Sequence, residues 1–133
     1  SPMSNHRAIR PAPGECAGYD RYGLLARAPN AAQAYLFGFT CDGRYSLRIW
    51  NGQSFVMLIP WTKSDAILKG PDQENVLGLW AEGSLLRLYA NGKYLAEIED
   101  DTFSLGAFGV SIAAFNTPGF TTRYTEMSYW ELP

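Results

Sequence analysis

The sequence predicts an all-β domain folded as a two-sheet antiparallel β-sandwich, and three observations predict it. Apolar residues alternate with polar ones over short runs. Turn dipeptides such as Asp42-Gly43, Asn51-Gly52 and Asn91-Gly92 punctuate those runs about every eight to twelve residues. Almost no stretch carries the 3.6-residue period of an amphipathic helix.

The strongest stretch is residues 34–62, AYLFGFTCDGRYSLRIWNGQSFVMLIPWT. It reads as three strands joined by two-residue turns at Asp42-Gly43 and Asn51-Gly52, the dipeptides that adopt positive φ at both turn positions cheaply. Tyr35, Phe37 and Phe39, then Tyr45, Leu47 and Ile49, then Phe55, Met57 and Ile59 alternate with polar neighbours. Such a meander puts one face in a core and turns the other toward solvent or a ligand.

In chain order, residues 1–13 read as a flexible or artificial tail with a short strand over residues 6–10, held to a sheet edge by Pro2, Pro11 and Pro13. Residues 14–133 form the single sandwich domain. Within it 14–20 is a loop and 22–28 the first well-marked strand. After Trp61, Thr62 or Ser64 caps a short helical turn over 65–68, which Gly70-Pro71 ends. A second meander follows over 75–82, 85–90 and 93–99, turning at 82–84 and at Asn91-Gly92. Residues 108–115 are apolar but relieved by Gly109, Ser111, Ala113 and Ala114, which suits a closely approached central strand. A long last strand occupies 120–132, giving about nine strands in all.

Composition narrows the function. With 133 residues, 47% hydrophobic and 18% charged, the chain has material for one core. A net charge of −2 with both signs scattered leaves no footprint for nucleic acid. No apolar run approaches the roughly 20 residues of a membrane-spanning helix. No signal peptide opens the chain, and its small, polar, Pro-rich start suggests a cut made inside a larger protein.

The two cysteines are Cys16 and Cys41. If residues 22–28 and 34–41 form a hairpin, Cys41 lies within reach of the segment carrying Cys16. A bridge would close about 26 residues and contribute on the order of 3.5 kcal/mol on the chain-entropy model, and it implies an extracytoplasmic setting. The alternative is two unrelated buried thiols.

Several phrases together resemble a bacterial version of the concanavalin A-like, laminin-G-like jelly roll. They are DRYGLLARAP (20–29), YLFGFTCDGRYSLRIWNG (35–52), WTKSDAILKG (61–70) and LLRLYANGKYLAEIEDDTFSLGAFGV (85–110), in order across most of the chain after residue 15. The resemblance implies an extracytoplasmic appendage of a larger multidomain protein, on the fold shared with laminarinase-type hydrolases. It also implies a departure: such jelly rolls begin one or two strands earlier, with an N-terminal strand beside the C-terminal one. That material looks short or missing here, which would bare a sheet edge and favour a homodimer.

An enzyme finds little support. Glu97, Glu99 and Asp101 alternate onto one face, but laminarinase-like family 16 hydrolases carry E-x-D-x-x-E. Here the middle residue is Glu and the final Glu is absent. Retaining hydrolysis needs two carboxyls roughly 5 Å apart in an enclosed cleft. The one histidine, His6, sits in the tail, so triads and histidine metal sites lack their centre. No cofactor is expected; calcium alone stays open, since Asp42, Asp65, Asp72, Glu74, Asp100, Asp101 and Asn116 all fall in loops, without the spacing of a known binding loop.

What remains is the face of the sheet turned away from the core. With Leu77, Leu79, Leu86 and Leu88 inward, Trp80, Arg87 and Tyr89 point outward, and the same alternation turns Arg48 and Trp50 away from the core. Aromatic rings beside guanidinium groups suit an oligosaccharide or cell-surface glycan. They suit a protein contact equally, so a non-catalytic carbohydrate- or surface-recognition module and a protein-interaction module are both carried forward.

Overall fold

The computed structural model describes residues 5–13, 18, 20–70, 73–104, 106–113 and 122–131. These residues form ten strands: β1 (Asn5–Pro13), β2 (Arg21–Asn30), β3 (Gln33–Thr40), β4 (Arg44–Trp50), β5 (Phe55–Lys63), β6 (Leu77–Glu82), β7 (Leu85–Ala90), β8 (Lys93–Glu99), β9 (Ala107–Ala113) and β10 (Thr122–Glu131). They form two five-stranded antiparallel sheets, A in the order β10-β1-β6-β7-β8 and B in the order β5-β4-β3-β2-β9. The predicted two-sheet antiparallel sandwich is therefore the observed one.

The core lies between the sheets. Tyr22, Leu24, Tyr35, Phe37, Phe39, Leu47 and Ile49 descend from sheet B onto Leu77, Leu79, Leu86 and Leu88 of sheet A, all of them buried. Aromatic rings meet edge to face, Phe37 on Phe39 at 5.4 Å and Tyr35 on Phe103 at 5.3 Å. That geometry sets the positive rim of one ring on the negative face of the other.

The segment joining β5 to β6 crosses between the sheets and is fastened by two asparagines. Asn75, fully buried, donates from Nδ2 to the Tyr22 hydroxyl (2.8 Å) and to the Leu68 carbonyl (3.1 Å), and its Oδ1 accepts from the Leu68 amide (2.9 Å). Asn91 donates to Asn75 Oδ1 and to the Ala66 carbonyl and accepts from the Val76 amide. Burial pushes the Tyr22 phenol up to about 12, against the opposing hydrogen bond from Asn75, so it stays neutral and able to accept. The expected helical turn at 65–68 is a single hydrogen-bonded turn over 65–66, and Ser64 caps it: its carbonyl accepts from the Ile67 amide and its hydroxyl from the Ala66 amide.

Other local expectations change with reasons. Asn91-Gly92 is the two-residue turn with positive φ at both residues (52° and 80°). At Asp42-Gly43 and Asn51-Gly52 only the glycine is positive, and the loops run to three and four residues between strand ends. In the second of these, Asn51 Oδ1 accepts from the Gln53 and Ser54 amides, a side chain doing the work of a turn. Strand β5 breaks register with β4 on either side of Leu47. Phe55 and Met57 consequently end up 55% and 45% exposed rather than in the core.

The largest correction is at the start of the chain. Residues 5–13 are a full strand, not a tail with an edge strand, and β1 is hydrogen-bonded on both sides, to β6 over Asn5–Ile9 and to β10 from Asn5 to Pro13. The prolines do not forbid this, because Pro11 and Pro13 fall past the end of the β6 pairing, where β1 has one neighbour. The N-terminal strand that looked missing is thus supplied beside the C-terminal one, and the bared edge on which a homodimer was expected is occupied.

Candidate functional site

The five residues singled out in the sequence do not converge. Arg48 and Trp50 lie on the outer face of sheet B, whereas Trp80, Arg87 and Tyr89 lie on the outer face of sheet A, across the core from them.

On sheet A the group is self-contained. The Arg87 guanidinium sits 4.5 Å from the centre of the Trp80 ring, and its Nε lies 3.5 Å from Glu97 Oε1, an ion pair too poorly aligned to be a hydrogen bond. Tyr94, paired edge to face with Tyr89, donates its hydroxyl to the same Glu97 oxygen (3.2 Å). Glu97 is thus engaged by a cation and a phenol. Glu99 and Asp101 are exposed, and Asp100 accepts from the Tyr35 hydroxyl and the Thr102 amide. Partial burial works against the Asp100 carboxylate, but these hydrogen bonds prevail and hold it below its ordinary range. The carboxylate run therefore anchors a loop and a surface ion pair.

Sheet B presents a different face. Its register puts small residues in one row across four strands: Ser111 on β9, Gly23 on β2, Gly38 on β3 and Ser46 on β4. Trp61 lies over this row, its Cη2 3.5 Å from where a Cβ on Gly38 would stand. Arg21 and Arg48 flank the indole from the two neighbouring rows, their guanidinium carbons 4.7 and 5.3 Å from its centre. Arg48 also stands 4.5 Å over the Phe55 ring, and Phe55 meets Trp50 at 4.8 Å. Beyond them a recess of about 600 Å³ opens toward the β2-β3 turn, lined by Leu25, Pro29, Gln33, Leu36, Trp50 and Phe55 among others. That volume falls within the roughly 300–1,000 Å³ of small-ligand sites.

Two polar groups on this face lack partners. Arg48 Nε makes no hydrogen bond, and neither does Oγ of the fully buried Ser46. Burial first, and the charge of Arg21 second, lower the Arg48 guanidinium to about 10, leaving it charged at neutral pH. A buried N–H without an acceptor, such as that Nε, costs stability unless something accepts its proton.

Sequence reasoning missed Trp61, Phe55 and Arg21. Arg21 was legible, two positions before the outward Gly23. Trp61 and Phe55 were not, because the register breaks in β5 reverse the alternation that had turned Phe55 inward. For a cation, no three His, Cys, Asp or Glu side chains come together among the described residues, and Asp72 and Asn116 lie outside them. Cys41 is buried and is not a free thiol, while Cys16 lies outside the described residues.

No sequence-family profile and no curated protein matches the chain. Solved structures do. The chain is similar to the carbohydrate-binding module CBM66 from Bacillus subtilis (TM-score 0.77, 16% identity, 96% of this chain and 74% of that one). It is also similar to chicken galectin 2 (TM-score 0.69, 8% identity, 97% and 98%) and to a variant of alginate lyase A1-II′ (TM-score 0.67, 7% identity, 98% and 63%). At these identities the likeness establishes the fold, a jelly-roll sandwich on which both binding proteins and an enzyme are built.

Proposed function

We propose that the chain is a non-catalytic carbohydrate-binding module whose site is the outer face of sheet B. The observation that carries this is the Trp50, Phe55, Arg48, Trp61, Arg21 array beside an apolar recess, with the buried Arg48 Nε making no hydrogen bond. An indole offers a flat apolar surface to the hydrogen-bearing face of a sugar ring, and a guanidinium donates to its hydroxyls. The carbohydrate-binding module and galectin among the structural neighbours support the same reading.

Titration with a panel of soluble oligosaccharides, followed by tryptophan fluorescence, tests it. A saturable change is expected that weakens at least tenfold in Trp61→Ala and persists in Trp80→Ala, whose ring lies on the opposite face. Binding lost in Trp80→Ala and kept in Trp61→Ala would move the site to sheet A. Silence across the panel, with concentration-dependent self-association, would instead assign the exposed Phe55, Val56 and Met57 of edge strand β5 to protein contact.

The setting we propose is extracytoplasmic, within a larger bacterial protein, with Cys16 bridged to Cys41. Supporting the bridge, the backbone just after Cys16 is held to the Cys41 turn: the Cys41 amide donates to the Asp20 carbonyl and the Asp42 amide to the Gly18 carbonyl (3.0 and 3.2 Å). Intact mass before and after reduction should differ by two hydrogens; no difference would dismiss the bridge.

A further inference from the structure

The recess on the outer face of sheet B differs in chemistry from the array beside it. The register places two neighbouring rows there, Leu25, Leu36 and Arg48 in one and Ala34, Trp50 and Phe55 in the next. All of these but Arg48 line the recess. Apart from Asn30 and Gln33, its described lining is hydrocarbon and aromatic ring. Both ends of those two amides are already engaged. Asn30 Nδ2 donates to Gln33 Oε1 (2.9 Å), Asn30 Oδ1 accepts from the Ala32 amide (2.8 Å), and Gln33 Nε2 donates to the Asn51 carbonyl (3.2 Å).

A sugar hydroxyl pushed into this space would give up water and meet no amide end without a partner, at a cost in free energy. A hydrocarbon group would gain by the same move. A strand of a second copy fits poorly, because the edge strand β5 breaks register with β4 on both sides of Leu47 and carries Pro60, features that blunt strand addition. The lining reaches from Leu25 on β2 to Phe55 on β5, three strand spacings of roughly 4.8 Å. That is about 14 Å, the extended length of a chain of about ten carbons.

We infer that the recess takes a hydrocarbon chain carried by the saccharide, so that the ligand is a glycolipid-like amphiphile with its sugar over Trp61 and Arg48 and its chain running past Trp50 toward the β2-β3 turn. This rests on the carbohydrate-binding reading and narrows its ligand class. Arg48 stands at the junction, 5.3 Å from the Trp61 ring centre on one side and 4.5 Å from that of Phe55 on the other. Polar and apolar halves of one ligand thus meet matching halves of one continuous surface. The outer face of sheet A has no such division, since Arg87, Glu97 and Tyr94 there engage one another.

The experiment is calorimetry on the whole domain with β-maltosides and β-lactosides carrying methyl, butyl, octyl and dodecyl chains, below their micelle concentrations. Octyl tetra(ethylene glycol) ether serves as the sugarless control. Affinity should rise about threefold per added methylene, the transfer free energy of a CH₂ read as an affinity ratio. Octyl should therefore exceed butyl by tenfold or more, with the rise levelling off beyond about ten carbons. An octanoyl ester of maltose beside octyl maltoside separates an acylated sugar from an alkyl glycoside. In Leu36→Gln the dependence on chain length should flatten. Ala31→Trp, which crowds the recess from an exposed turn position, is read in the same way should the first variant fail to fold, and thermal melts establish that either is folded.

Equal affinity at every chain length, lost in Trp61→Ala, would overturn the inference and leave the carbohydrate-binding reading standing. So would silence toward every alkyl glycoside while the oligosaccharide panel binds. Silence toward both sets, or equal binding of the sugarless control with no effect of Trp61→Ala, would overturn both. A chain-length dependence that survives both Leu36→Gln and Ala31→Trp would overturn the assignment to this recess.

Discussion

Leucine in place of Asn75 is expected to lower the unfolding free energy by about 3 kcal/mol, a large part of the ~5–15 kcal/mol typical of a single domain. The side chains are similar in size, so the effect is one of hydrogen bonding. Asn75 is buried at 0% exposure and uses both ends of its amide, toward Tyr22 and Leu68 with one and Leu68 and Asn91 with the other. Removing it takes the partner from the buried Tyr22 hydroxyl and from the part-buried Leu68 amide, Leu68 carbonyl and Asn91 amide, at roughly 1–3 kcal/mol for a group left unsatisfied away from water and less for those that solvent can reach. Urea unfolding followed by tryptophan fluorescence measures the change. A loss below about 1 kcal/mol would mean that water reaches these groups and that the crossover is held by packing instead.

The second large effect is steric and comes as a matched pair of glycines. Gly23 and Gly38 face each other across β2 and β3. A Cβ on Gly23 would stand 2.3 Å from the Phe37 carbonyl oxygen and 2.8 Å from the Gly38 Cα, both backbone atoms that cannot swing aside. On Gly38 the nearest atoms would be Trp61 Cη2 and the Tyr22 carbonyl oxygen, each at 3.5 Å, which is ordinary contact. Gly23→Ala should therefore cost about 3 kcal/mol or prevent folding, while Gly38→Ala stays within about 1 kcal/mol, on the scale of overpacking penalties. Neither glycine has positive φ, so backbone conformational freedom does not confuse the comparison. Equal melting temperatures for the two variants would show that β2 and β3 separate more easily than their register implies.

Much of the architecture was written in local signals. Strands β7 and β8 fall on the predicted residues to the end, because leucines alternate cleanly on one side of Asn91-Gly92 and polar residues bracket the other. What local signals could not carry was pairing at a distance. The proline-bearing segment at residues 5–13 looks unfit for a sheet until β6 is known to stop opposite Ile9, leaving Pro11 and Pro13 a free flank. The site was half legible for the same reason. Alternation correctly turned Arg48, Trp50, Trp80, Arg87 and Tyr89 outward, but it cannot say that two sheets carry them. The breaks in β5 that turn Phe55 outward leave no mark in composition.

The position of β1 bears on how the molecule assembles. The meanders β2-β3-β4-β5 and β6-β7-β8 join neighbours in sequence and close short loops. Strand β1 instead waits for β6, across the whole first meander, and β10 can dock only on β1, from the far side of the chain. Loop closure of that length is an entropic toll that must be met before the pairing returns anything, and it places such topologies among the slow folders, on the order of milliseconds to seconds. Sheet B, with the arginines and Trp61 of its outer face, can take shape around its meander first, and sheet A is locked only when the earliest and latest strands find each other.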